Sequence, residues 1–205
     1  MNAHLDKSSG AAEDYPGAVL LRTRRLVLRG LRFGDIRAIQ VLNSDADVSR
    51  WLLEPCPVRF FDVAAMIAQA NHTYQERPGL GIWHANDEAG HFVGLYSLMP
   101  VKGTDEIEIG ARLNPEYWGR LYSIEGTRAL CAHAFETLRL SRLVGFCDAS
   151  NTAVPVIFRR LGFRAIGEVR HFDKPARKFA LAGAHWKPAT PTRAASTSLE
   201  FEQSS

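Results

Sequence analysis

The hydrophobic positions change period along the chain, and each change marks an element. Around "RLVLRGL", Leu26 and Leu28 fall on one face at the two-residue period of a strand. From Phe33 to Leu42 the period lengthens: Ile36, Ile39 and Leu42 recur at helical spacing, with Asp35 favoured in the first turn. "CPVRFFD" is a proline-interrupted connection. Val63, Met66, Ile67 and Ala70 mark a second helix from Asp62 to Glu76, which Arg77-Pro78-Gly79 ends. Three strands then follow without a helix between them: Leu80 to Asn86, His91 to Met99 and Asp105 to Leu113. The turns "NDEAG" and "VKGTD" that join them carry hairpin chemistry. Leu130, Ala134, Phe135 and Leu138 form the apolar face of a helix from Tyr122 to Leu138. A strand from Arg142 to Cys147, a helix from Asn151 to Leu161, and strands from Phe163 to Arg170 and Arg177 to Trp186 complete the series.

The order β α α β β β α β α β β predicts an α/β fold: a mixed sheet that begins as an antiparallel meander and continues through β-α-β units, with helices on its faces. Residues 1–18 are polar and small, and residues 187–205 are rich in Ser, Thr, Ala and Pro. Neither segment buries enough apolar surface to offset its ordering entropy. The expected organisation is one domain, 19–186, between two flexible tails.

Composition adds exclusions. With 205 residues, 46% hydrophobic and 23% charged, the chain suits one globular domain. It has no apolar run long enough for a membrane span and no signal-peptide core near Met1, so a soluble cytoplasmic protein is expected. The three cysteines, Cys56, Cys131 and Cys147, show neither metal nor CxxC spacing and read as buried thiols. The histidines never pair at zinc-ligand spacing; His84 and His91 only flank a hairpin turn, and no metal is expected. A net charge of +3 is too small to argue by itself for a nucleic-acid partner, and none is expected. The local run of Arg22, Arg24, Arg25, Arg29 and Arg32 reads as a solvated strand edge.

The chemistry concentrates in "EIEIGARLNPEYWGRLYSIEGTRAL", residues 106–130. A strand ends at Leu113, a turn with Asn114, Pro115 and Gly119 follows, and a long amphipathic helix begins. The first amides of that helix, from Gly119 to Ser123, lack intrahelical partners and sit at the positive end of the macrodipole. They suit a pyrophosphate; the same geometry also serves a tight turn that binds nothing. Glu106 and Glu108 alternate with Ile107 and Ile109, so both carboxylates point to one face, where either solvent or a substrate ammonium could meet them.

The chain resembles the GNAT superfamily of N-acyltransferases, in its branch like the RimJ/RimL ribosomal-protein N-terminal acetyltransferases. The resemblance runs over residues 22–170. It begins at "TRRLVLRGLRFGD" and continues through "GIWHANDEAGHFVG", similar to W-x-I … G-x-x-I-G. Its most specific part is "EIGARLNPEYWGRLYSIEG", close to E-I-G-Y-x-L-x-P-x-Y-W-G-K-G-Y-A-T-E-A. It finishes with "CDASNTAVPVIFRRLGFRAIGEV". The fold implied is a mixed, mostly antiparallel sheet of about seven strands flanked by about four helices.

The activity implied is transfer of an acetyl or other acyl group from acyl-coenzyme A to a primary amine: a protein N-terminus, an amino acid or a small molecule. The resemblance places the coenzyme A pyrophosphate on the turn formed by Trp118, Gly119, Arg120, Leu121, Tyr122 and Ser123. It sets the pantetheine arm against the strand end from Ala111 to Leu113, with Asn151 bonding the arm and Phe158 beside it. Asn151 also reads as a cap for the next helix. Glu108 matches the family glutamate of E-I-G and is the implied base; Glu125 matches too, in a first turn that favours it in any case. Trp51, Phe60, Phe61 and Trp83 are candidate acceptor-pocket walls, or plain core. Three residues depart from the pattern. Leu121 replaces a glycine, Val154 a serine, and Phe158 a proton-donating tyrosine; neither Val154 nor Phe158 can donate a proton. An acyl-coenzyme A-binding module that turns nothing over is the competing expectation, and the protein is expected as a monomer or homodimer.

Overall fold

Leu28 has no exposed surface, and the strand carrying it is the second of an eight-stranded sheet. The structure, a computed structural model, describes residues 16–188. The expected tails lie outside the described residues, apart from 16–18 and 187–188 where they join the domain. The strands are β1 (Val19–Arg22), β2 (Val27–Gly30), β3 (Gly81–Asn86), β4 (Phe92–Pro100), β5 (Ile107–Leu113), β6 (Arg142–Asp148), β7 (Arg164–His171) and β8 (Lys174–Ala182), in the spatial order β1-β2-β3-β4-β5-β6-β8-β7. Every neighbouring pair is antiparallel except β5 and β6. That parallel pair needs a crossover, and α4 (Tyr122–Ala132) supplies it.

Helices cover both faces. Tyr96 lies opposite Ala111 on the face that carries α4, whose Gly126 leaves room for the Tyr96 ring. Arg112, one residue on, points the other way and donates to Asn43 of α1 (Ile36–Ser44) at 2.7 Å. α3 (Phe60–Glu76) packs beside α1, and α5 (Ala153–Leu161) packs beside α4. The core runs through the sheet, from Leu28, Trp83, Tyr96 and Ile109 to Leu143 and Phe179.

The mixed sheet with flanking helices is as the sequence predicts, and the added elements have local causes. β1 has exposed or half-buried residues throughout, so no apolar alternation announces it. A four-residue helix, α2 (Ala46–Ser49), exists because Asp45 caps it, accepting from the amides of Asp47 and Val48. β8 starts at Lys174 rather than Arg177 because β7 and β8 join through a two-residue turn. Its members, Phe172 and Asp173, both have positive φ, 47° and 59°. Neither is Gly or Asn, so the usual hairpin signal is missing.

The basic run is not a uniformly solvated edge. Arg29 makes two 2.8 Å hydrogen bonds to the carboxylate of Asp35, and His84 of β3 sits 3.7 Å from the same group, its ring against Phe92. Burial alone would raise the Asp35 carboxyl, but bonds from Arg29 and the Arg32 amide outweigh it and hold it below its usual value. Burial pushes the His84 imidazole down from 6.5 to about 4, against the pull of Asp35. A base whose folded value is depressed contributes stability above its unfolded value and loses it as pH falls. Denaturant unfolding between pH 7 and 4.5 should therefore show a loss on the order of 2 kcal/mol that His84→Gln removes.

Candidate active site

β5 pairs with β4 along its full length, from Pro100↔Ile107 to Gly94↔Leu113. With β6 it pairs at one position only, Glu108↔Val144. Beyond Glu108 the two strands part, and the β6-side edge of β5 from Gly110 to Leu113 faces no strand. Ala111 is exposed there and Leu113 is buried. An unpaired strand edge offers main-chain donors and acceptors to an extended, amide-bearing ligand.

The chain leaves this edge through a 3-10 turn at Pro115–Tyr117, and the Trp118 indole N–H returns to the Leu113 carbonyl at 2.9 Å. Gly119 and Leu121 are left-handed, with φ of 73° and 66°. The first helical bond of α4 is Glu125 N–H to the Leu121 carbonyl, so the amides of Tyr122, Ser123 and Ile124 precede it and have no intrahelical acceptor. Left-handed residues before free helical amides form a concavity suited to a phosphate. Leu121 is 54% exposed. A non-glycine residue in this conformation costs about 1–2 kcal/mol. Leu121→Gly should therefore stabilise the fold by about 1 kcal/mol in denaturant melts, whereas helix propensity alone predicts a loss; coenzyme A should bind more tightly if the leucine crowds the phosphate.

Side chains from distant segments hold the turn. Glu125 accepts from the Thr23 hydroxyl at 2.6 Å, the Arg25 amide at 2.9 Å and Arg25 Nε at 2.7 Å. Burial would raise this carboxyl; those bonds and the Arg25 charge keep it below its ordinary value. Arg25 also donates to the Arg120 carbonyl and lies 4.2 Å from the centre of the Tyr122 ring. Tyr96 donates to the Tyr122 carbonyl at 2.7 Å. In the sequence Arg25 reads as part of a solvated edge; its role shows only when residues a hundred positions apart meet.

On the far side of the gap, Asn151 caps α5 through Oδ1, which accepts from the amides of Ala153 and Val154. Its Nδ2 takes no partner among the described residues and remains a free donor. Phe158 is buried against Phe163 and Phe179, its ring tip over Gly145 of β6.

Glu106 and Glu108 both reach the side of the sheet that bears Phe146. Lys178 pairs with Glu106 at 2.6 Å and lies over the Phe146 ring; Arg142 is 4.0 Å from the same carboxylate. Glu108 is left with His171, whose Nε2 lies 3.3 Å from Oε2, while its Oε1 has no partner among the described residues. Of the expected pocket walls, Phe60 and Phe61 pack edge to face, 55% and 79% exposed. Trp51 is half-buried under Arg50. Trp83 is corrected: it has no exposed surface, is stacked on Tyr74, and belongs to the core. Lys174 ties the β7–β8 turn to the segment holding Trp51 by donating to the Leu52 carbonyl at 2.8 Å.

The chain is similar in sequence and fold to several known proteins. A 93-residue segment is 36% identical to FsC-acetyl coenzyme A-N(2)-transacetylase of Aspergillus fumigatus, covering 42% of this chain but only 39% of that relative. Spermidine N(1)-acetyltransferase of Escherichia coli K12 is 26% identical over 144 residues, 70% of this chain and 75% of that one. The structure of the RimL ribosomal L7/L12 alpha-N-protein acetyltransferase with coenzyme A superposes with a TM-score of 0.68 at 17% identity, over 80% of this chain and 98% of that one. The family profile described as an acetyltransferase (GNAT) domain matches residues 25–164, more than half of the sequence. The chain belongs to the GNAT acetyltransferase family.

Proposed function

We propose that the protein transfers the acetyl group of acetyl-coenzyme A to a primary amine by direct attack within a ternary complex. The observation that carries this reading is the parting of β5 and β6 immediately beyond Glu108, with the free amides of α4 at the other end of the same edge. The edge from Gly110 to Leu113 suits the amides of the pantetheine arm, the Gly119–Ser123 turn suits the pyrophosphate, and Asn151 Nδ2 suits a carbonyl of the arm.

The thioester carbonyl then lies near Glu108, and the acceptor enters from the side of Phe146 and the Trp51–Phe61 segment. Glu108 takes one proton from the acceptor ammonium. The freed nitrogen attacks the carbonyl, the C–S bond breaks, and the second nitrogen proton ends on sulfur. A thiol of pKa about 8.5 leaves without a side-chain donor, so Val154 and Phe158 lower the rate rather than forbid the reaction. The relatives' names support an amine acceptor: spermidine for one, a ribosomal protein for another.

Thermal melts with acetyl-coenzyme A and desulfo-coenzyme A test the site. Each should stabilise the fold by about 2.7 kcal/mol at a hundredfold excess over its dissociation constant. No shift with millimolar amounts of either compound would remove the assignment of the 118–123 turn. Thiol release with spermidine, free amino acids and short peptides as acceptors would then identify the amine.

A further inference from the structure

His171 stands at the end of β7 with an imidazole nitrogen close to Glu108. Its Nε2 is 3.3 Å from the carboxylate but buried and without an aligned hydrogen bond. The ring is held in place: it lies flat on Phe146, at 4.0 Å and 8°, and meets the edge of Phe172 at 4.6 Å. The turn that follows keeps both Phe172 and Asp173 left-handed, a strain that the fold retains where it fixes this histidine. Arg170 donates to the Asp173 carbonyl, and Lys174 anchors the turn to Leu52. Here the nitrogen sits beside the group that has a proton to dispose of.

We propose that His171 accepts the proton that Glu108 takes from the acceptor and passes it to solvent. The inference rests on the reading of Glu108 as the base. The ammonium gives one proton to the carboxylate, leaving a neutral amine and a carboxylic acid. The acid gives that proton to Nε2, restoring the carboxylate and forming imidazolium. The imidazolium releases its Nδ1 proton to water, since Nε2 is buried, and exchange of tautomer through solvent frees Nε2 again; each turnover sheds one proton and both Glu108 and His171 are reset. His171 acts through Glu108 and is a relay, not a group that touches substrate. The charged groups around the pair are Glu106 with its partners Lys178 and Arg142, Lys174 across the hairpin and Asp173 in the turn.

The test compares His171→Gln, His171→Phe and His171→Gly with Glu108→Gln. Each is assayed with acetyl-coenzyme A and the amine that releases thiol fastest. His171→Phe preserves the ring stack, so it separates lost chemistry from lost folding. Both His171→Gln and His171→Phe should lower kcat roughly tenfold or more, with coenzyme A affinity unchanged and the acidic limb of the pH–rate profile displaced. Added imidazole should restore His171→Gly and leave Glu108→Gln slow. Full kcat and an unaltered pH profile in His171→Gln and His171→Phe, with Glu108→Gln slow, would overturn the relay and leave Glu108 as base. Full activity in Glu108→Gln as well would remove both readings. A loss in all His171 variants with no recovery by imidazole would assign His171 to shaping the acceptor wall and overturn the relay.

Discussion

Replacing Glu108 by Gln should lower turnover by about 100-fold or more at neutral pH while leaving coenzyme A affinity unchanged. The substitution keeps the shape of the side chain and removes its basicity. An acceptor ammonium titrates above neutrality, from about 7.7 for a protein N-terminus to about 10.4 for an alkyl amine, and the protonated nitrogen cannot attack until a base takes its proton. Glu108 sits where β5 and β6 last touch, with Oε1 unpartnered among the described residues. The turn proposed for the pyrophosphate lies at the opposite end of β5, so coenzyme A affinity should not feel the change. Raising the pH should partly restore the variant, because more acceptor then arrives neutral. Glu106→Gln is the control, since that carboxylate already answers Lys178 and Arg142. A full rate in Glu108→Gln with a slow Glu106→Gln would exchange their roles.

Glu125→Ala should cost roughly 3–4 kcal/mol of stability and weaken coenzyme A binding together with it. One carboxylate removes three hydrogen bonds at once, from the Thr23 hydroxyl, the Arg25 amide and Arg25 Nε. The Arg25 amide and its guanidinium are then left without that partner in a half-buried setting, and unpaired groups cost more than the bonds were worth. Arg25 also holds the Arg120 carbonyl, so the turn proposed for the phosphates loses its support. Glu125→Gln retains acceptor capacity and should lose about half as much. A melting temperature within a degree of the wild type for Glu125→Ala would show that the Arg25 contacts do not hold the turn.

The sheet was legible where one face of a strand is apolar, and less so elsewhere. Leu28 and Ile109 announce their strands by alternation. β1, with no buried residue, announces nothing. The Phe172–Asp173 turn lacked the usual glycine or asparagine, so three residues of β8 read as loop. The phosphate-fitting turn was visible from local signals, a strand end followed by Pro115, Gly119 and a helix. Its support was not, because Arg25 and Glu125 are a hundred residues apart and each has an ordinary local reading. Trp83 fails as a pocket wall for a similar reason: aromatic character is equal in a core and in a cleft, and only Tyr74 stacked on it decides. His171 carried no motif; its pairing with Glu108 follows from the sheet order that sets β8 beside β6 and β7 beyond it, with the turn between them reaching back over Phe146.

The central claim, that acetyl-coenzyme A lies along the free edge of β5 and on the turn into α4, is tested most directly by amide hydrogen exchange with and without the compound. Protection should rise at residues 110–113 and 119–124, where amides without a strand or helical partner would gain one. It should stay unchanged along β1 and β2 away from Arg25. Unchanged exchange at both segments under saturating acetyl-coenzyme A, or protection confined to other strands, would contradict the site.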